Sequence, residues 1–444
     1  MIEVGNAPNP PQDESSRIAF FAEEKWTAGV VGLGYVGLPL VLTAMDSGLG
    51  GIGFDVSSNR IEALRAGHSV VDDVSGAQLD EALVKGVVFT TDEAQLSEAD
   101  AIFICVPSPL GRNRQPDLSY IEAAAETIVR IARPGQLIAL ESTTYPGTTE
   151  DILGPAVERA GLVVDRDVFV AFSPERVSPG DELKTASIPK VVGGLTELSG
   201  RVAEAAYRRL VPKVHRVSSS RAAEMTKLLE NTYRAVNIGL VNEIAQLAHE
   251  LDIDIWEVID AASTKPFGYQ AFYPGPGVGG HCIPLDPQYL AWRAREANFA
   301  TRFIDAAEQV NSHMPAYNAD RVADILNVNG LPVFGTEILA IGVSYKKDIA
   351  DHRESASLEV LKELKRRGAN ISVHDPVIGA EGIASLGYKP IEAGDSMAHF
   401  QIAVILTDHS AVDYQQIVDE LPLVYDSRGV LRRLGIESPR ISFL

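Results

Sequence analysis

Residues 27 to 55, "TAGVVGLGYVGLPLVLTAMDSGLGGIGFD", leave the fold little freedom. An apolar run ends in a glycine turn. A second run with helical spacing follows, and a third, short run ends in an acid. From Trp26 to Met45 there is no charged residue, and ~20 apolar residues suffice to span a bilayer. Gly29, Gly32, Gly34, Gly37 and Pro39 inside the stretch argue instead for a buried strand, turn and helix. Gly32, Gly34 and Gly37 spell G-x-G-x-x-G around Tyr35 and Val36. Glycines so spaced let the backbone turn tightly and approach a pyrophosphate at a helix N-terminus, where N–H groups lack partners. Asp55 lies 18 residues after Gly37 at the end of the next strand, the place of a ribose-binding acid. A carboxylate there accepts from both ribose hydroxyls and repels a 2′-phosphate, so NAD is expected in preference to NADP. Arg60, one turn further on, reads either as a cover for the adenine or as a solvated arginine.

The alternation continues through "GVVFT", "DAIFICVP", "GQLIALEST" and "DVFVAFSP", with helical segments such as "SYIEAAAETIVRIA" between them. Parallel strands with crossover helices follow from such a pattern. "PKVVGG" and "KVHRV" close this region near residue 217. From Ser219 to Glu250 there is no proline and no strand-like run, which predicts one long helix or a close pair. "DPQYLAWRAREANFATRFIDAAEQVN" adds a second helical pattern. Near Leu331 the first pattern restarts with "EILAIGVSYKKD", "ANISVHDP", "IAVILTDH" and "LPLVYDSRG". The expected fold class is α/β: two Rossmann-like doubly wound domains at residues 26–217 and 329–444, joined by a long-helix connector at 218–328. The polar, proline-rich start, residues 1–25, is expected to be a disordered tail.

With 60 acidic against 39 basic residues the chain carries a formal charge of −21. It repels nucleic acid and anionic membrane on average, so any phosphate site must be built locally. The opening residues lack the basic start and apolar core of a signal peptide, so none is expected. Two cysteines cannot make a disulfide framework, and the chain reads as cytoplasmic. Cys105 sits in an apolar strand and reads as core. Cys282 sits in "PGPGVGGHCIPLDP", too broken for a helix and too apolar for an ordinary loop. No second cysteine is near and His281 is adjacent, so no metal site is expected. A thiol on a glycine loop, in a chain that binds a dinucleotide, suggests covalent catalysis at a carbonyl.

These segments resemble the UDP-glucose/GDP-mannose dehydrogenase family from about Trp26 to about residue 440. "GVGGHCIPLDP" is similar to its cysteine signature and "EMTKLLENTYRAVNIGLVNE" to its lysine–asparagine helix. "ESTTYPGTT" and "FSPERVSPG" resemble its inter-domain segments, and "GVSYKKDIADHRES" the opening of its nucleotide-binding domain. The resemblance implies a four-electron oxidation of a sugar's primary alcohol to a carboxylate with NAD. The connector, residues 218–328, is expected from its long amphipathic run to bury an apolar face against a second copy as the dimerisation region of a homodimer. The resemblance implies Cys282 as nucleophile, Lys227 and Asn231 on the oxyanion, Asp286 as a water-positioning base, Thr143 on a catalytic water and Glu175 at the water that opens a thioester. Ser108 is expected near the nicotinamide and Arg353 near the cofactor. Lys346 is expected on the UDP side, with Lys347 beside it read as simply solvated. Arg176, Val177, Lys265, Tyr273, Gly275 and Gly279 are expected around the sugar nucleotide. Pro179 replaces a second glutamate of the UDP-glucose branch. The loops look most like the branch that oxidises UDP-N-acetylhexosamines, with UDP-N-acetylglucosamine the expected sugar. UDP-N-acetylmannosamine, UDP-N-acetylgalactosamine and UDP-glucose are the alternatives. A two-electron 2-hydroxyacid dehydrogenase would not need Cys282, and an NAD-binding regulator would not need Cys282, Lys227 and Asp286 together.

Overall fold

The structure, a computed structural model, describes residues 13–71, 74–111, 115–176, 188–280 and 283–444. Two units divide the chain. One runs to Glu230 and includes Arg295–Ala297; the other is Asn231–Ala294 with Asn298–Leu444.

In the first unit the short apolar runs become eight strands: β1 Thr27–Val31, β2 Gly50–Phe54, β3 Val88–Thr90, β4 Ala101–Ile104, β5 Leu137–Leu140, β6 Phe169–Phe172, β7 Lys190–Gly194 and β8 Val214–Val217. They form one sheet in the order β3-β2-β1-β4-β5-β6-β7-β8. Every neighbouring pair is parallel except β6 with β7, which is antiparallel. Apolar clusters cover both faces, one around Val30, Leu38 and Phe103, the other around Ile104, Ile128 and Phe172. Strands buried on two faces must be apolar throughout, which is why these runs do not alternate. The uncharged stretch after Trp26 is β1 followed by the helix Gly37–Asp46. Among the described residues no helix is long and apolar enough to cross a membrane.

The expected disordered tail is corrected at residues 13–25. Glu14–Glu23 is a helix, capped by Asp13, whose carboxylate accepts from Ser16 N at 2.9 Å. Phe21 is buried edge-on to Trp26 at 5.8 Å, and Trp26 Nε1 donates to the Phe21 carbonyl at 3.0 Å. A cap followed by Ile18, Phe20 and Phe21 on one face is a helix signal that the preceding prolines obscured. Residues 1–12 lie outside the described residues.

Six strands build the second sheet: β9 Glu337–Ile341, β10 Asn370–His374, β11 Lys389–Pro390, β12 Ile402–Ile405, β13 Val424–Asp426 and β14 Ile441–Phe443. All run parallel in the order β11-β10-β9-β12-β13-β14. Ser220–Glu250 is one unbroken helix. The second helical pattern instead splits into Asp286–Glu296 and Arg302–Val328, with Asn298 at φ +55° between them.

The two units share one turn. Gly32 N donates to the Phe54 carbonyl at 2.8 Å and Leu33 N to Asp55 Oδ2 at 2.9 Å. Gly342 N donates to the His374 carbonyl at 2.9 Å and Val343 N to Asp375 Oδ2 at 2.8 Å. Each time a strand ends in a left-handed glycine, φ +91° or +78°, whose amide reaches the neighbouring strand just before its terminal acid.

Candidate active site

The glycine turn is shaped for a dinucleotide. A Cβ on Gly32 would press on the Cys105 carbonyl oxygen at 2.8 Å, and one on Gly37 would overlap the Gly32 carbonyl. A Cβ on Gly34 would meet nothing within 4 Å. Two glycines are thus required by the protein's own packing, while the third faces open space beside the start of a ten-residue helix, where a pyrophosphate fits. Tyr35 is half exposed there and Val36 directly precedes the helix without a side-chain cap bond. Asp55 is buried and engaged: Oδ1 accepts from Ser57 N at 2.9 Å, and Oδ2 accepts from Leu33 N and from Arg60 Nη1 at 2.7 Å. Arg60 is therefore clasped to the acid, which neither of its two expected settings included. Ser108 lies half-buried in the segment after β4.

A second group gathers in the first unit beyond β5 and β6. Lys227, half-buried on the long helix, donates through Nζ to Thr143 Oγ1. One turn earlier Glu224 is 1% exposed. It accepts from Gly147 N at 2.6 Å, Thr149 N at 2.9 Å and Thr149 Oγ1 at 2.7 Å. That carboxylate fastens the turn after Thr143 to the helix that carries Lys227. Glu175 accepts Lys190 Nζ at 2.9 Å on one oxygen and Arg176 N at 2.8 Å on the other. Arg176 forks onto Glu230 at 2.6 and 3.0 Å. Val177 lies outside the described residues.

In the second unit Asn231 and Asp286 are both 3% exposed, and Asn231 Nδ2 donates to Asp286 Oδ2. Asp286 opens the helix Asp286–Glu296, and Arg234 donates to Asn231 Oδ1. Cys282 and His281 lie outside the described residues. The loop before them is fixed by its glycines. Gly275 N donates to Asn242 Oδ1 at 3.1 Å, and a Cβ on Gly275 would strike the Arg428 guanidinium. A Cβ on Gly279 would meet the Glu354 carbonyl oxygen at 2.8 Å. Tyr273 stacks on Trp256 with ring centroids 5.9 Å apart. Lys265 is exposed and lies 5.0 Å over the Phe267 ring. The Lys346 carbonyl accepts from Ser344 Oγ at 3.0 Å. Arg353 forks onto Asp351 at 2.7 and 2.9 Å.

The NAD binding domain of the UDP-glucose/GDP-mannose dehydrogenase family matches residues 27–211, its central domain 221–313 and its UDP binding domain 339–433. The chain belongs to the UDP-glucose/GDP-mannose dehydrogenase family. It is 36% identical over 368 residues to the UDP-N-acetyl-D-glucosamine 6-dehydrogenase of Pseudomonas aeruginosa, covering 82% of this chain and 86% of that one. It is 33% identical to the UDP-N-acetyl-D-mannosamine dehydrogenase of Methanococcus maripaludis, covering 90% and 92%. Among solved structures, the UDP-D-ManNAc dehydrogenase of Pyrococcus horikoshii superposes with a TM-score of 0.82 at 31% identity, covering 94% of this chain and 98% of that one. The family assignment makes the chain an NAD-dependent nucleotide-sugar dehydrogenase.

Reading the sequence missed Lys190, which donates to Glu175 at 2.9 Å and to buried Glu141 at 2.7 Å, Glu224 bonded to the turn after Thr143, and Arg428 against Gly275. Glu141 and Lys190 bound apolar runs and Glu224 lies inside a helix, while Arg428 lies between β13 and the helix Val430–Arg433. The available signal was a lone charge where burial was otherwise expected, as in "LIALEST" and "PKVVGG".

Proposed function

We propose that the chain oxidises the primary alcohol of a UDP-N-acetylhexosamine, UDP-N-acetylglucosamine foremost, to the uronic acid through a thioester on Cys282. The observation that carries the reading is that one helix supplies Lys227 to Thr143 and Asn231 to Asp286. NAD, when bound, takes up the hydride lost at each of the two oxidations. Lys227 and Asn231 hold the developing oxyanion, which needs donors fixed before the charge forms. Asp286, accepting from Asn231, takes the alcohol's proton directly or through water. The aldehyde has no second alcohol hydrogen to lose, so the Cys282 thiolate adds to it and forms a thiohemiacetal. Loss of a proton and a second hydride leaves a thioester. Water, aligned by Thr143 and Glu175, opens it to the carboxylate and regenerates the thiol.

The nucleotide sugar is read by Tyr273, Gly275, Gly279, Lys265, Lys346, Arg176 and Val177. The cofactor is read by the glycine turn, Asp55, Arg60, Ser108 and Arg353. We assign residues 26–217 to NAD, 218–328 to the connector and Cys282 loop, and 329–444 to the nucleotide sugar, in a cytoplasmic homodimer. UDP-N-acetylmannosamine is the second reading, because several similar proteins carry that substrate in their names.

A panel of UDP-sugars with NAD, followed at the NADH absorbance, tests the sugar. Two NADH per UDP-N-acetylglucosamine is the expected count, and turnover of UDP-N-acetylmannosamine alone would replace the first reading with the second. Cys282→Ala should lose acid formation by orders of magnitude while binding the UDP-sugar normally and still reducing the aldehyde with NADH. Acid formation at near the original rate would remove Cys282 from the chemistry.

A further inference from the structure

Three charged side chains meet inside the first unit. Glu141 directly follows β5, Glu175 lies three residues beyond β6, and Lys190 opens β7. β6 and β7 are antiparallel, with Ala171 opposite Gly194 and Phe172 opposite Gly193. Continued three residues, that register sets Lys190 across from Glu175. Lys190 Nζ donates to Glu141 Oε2 at 2.7 Å and to Glu175 Oε2 at 2.9 Å. Their side chains are 7%, 0% and 14% exposed. Tyr207 OH donates to the second Glu141 oxygen at 2.7 Å.

A stability role alone does not account for this trio. Desolvating two charges already offsets most of what a buried pair gains, and a second carboxylate adds uncompensated charge. Burial by itself would discharge Lys190, but Glu141 and Glu175 outweigh it and hold the ammonium protonated. Burial pushes Glu141 up. The ammonium thus remains a fixed positive charge with one side anchored and the other on Glu175.

We propose that Lys190 is a positioning residue for Glu175: anchored by Glu141 and Tyr207, it fixes the direction of the Glu175 carboxylate for its work on the hydrolytic water. The proposal rests on the role of Glu175 given above. Lys190 transfers no proton and stays charged throughout.

The test uses the full-length enzyme with NAD and the best UDP-sugar of the panel. Lys190→Met should lower kcat roughly 100-fold, the scale of a displaced acid–base group. It should also move the acid limb of the kcat profile to higher pH, because removing a neighbouring cation favours the neutral carboxylic acid. Lys190→Arg should keep the limb near its original place. Glu141→Gln should move it the other way, to lower pH, since Lys190 then serves Glu175 alone. This variant changes no volume and decides the matter if Lys190→Met does not fold. If Glu175→Gln leaves kcat unchanged, the role of Glu175 falls and takes the proposal with it. If Glu175→Gln is damaged but neither Lys190→Met nor Glu141→Gln shifts the acid limb, Lys190 alone is overturned.

Discussion

Glu224 shows how much one buried side chain can hold. Burial raises its carboxyl from 4.5 to about 7 despite three donors that favour the charged form. Its native form therefore binds a proton more tightly than the unfolded chain does. The stability it contributes is full below pH ~4.5 and is lost as pH rises through about 7. Glu224→Gln should flatten that part of the curve: the drop in Tm from pH 5 to 7.5 should be smaller than in the parent protein. An unchanged drop would place the slope elsewhere. The residues that the sequence made legible, Asp55, Lys227, Asn231 and Asp286, stand at fixed spacing from a glycine or from one another. Glu224, Lys190 and Glu141 do not. The partners of Glu224 lie 75 and 77 residues away in the chain, and nothing local marks them.

The strand–turn–helix element was legible because each glycine answers to a packing limit, and those limits differ. Gly37 has the Gly32 carbonyl against it, whereas Gly34 has only open space. Gly34→Ala should therefore leave the cofactor-free Tm within about 2 °C, the size expected where nothing packs. It should nevertheless weaken NAD binding at least tenfold, as a methyl fills the approach to the pyrophosphate. Thermal melts and an NAD titration on the same preparation separate the two effects, and normal affinity would mean that the cofactor does not pass that atom. The helix Glu14–Glu23 was illegible for a different reason. Its Asp13 cap and buried Phe21 are ordinary helix signals, but they follow a stretch whose composition alone reads as unstructured. Composition averages over a boundary that a cap residue marks sharply.

For the whole molecule, the α/β pattern was readable because period and breakers recur along the chain. The connector, residues 218–328, is expected from its long amphipathic run to be a dimerisation region, but which of its residues stay exposed is a tertiary property. On the long helix Tyr233, Leu240, Ile244 and Leu247 are 40–56% exposed, with Leu251 just beyond its end at 59%. Large apolar side chains repeated at helical spacing on an exposed face favour a self-complementary contact. Light scattering should give a dimer at micromolar concentration and a monomer for Leu240→Asp with Leu247→Asp; a monomeric parent chain would end the dimer reading. The shared turn at Gly32 and Gly342 carries a different lesson. Their surroundings read G-L-G-Y and G-V-S-Y, too little for a repeat to be noticed in the letters, yet in both the glycine amide reaches the neighbouring strand and the next amide reaches its terminal acid. The blueprint was copied as geometry and rewritten as text. A rigidifying change at the left-handed glycine of one turn thus has its counterpart at the other, Gly32 with Gly342, while the position two residues on does not carry over, since Gly34 faces open space and Ser344 is buried.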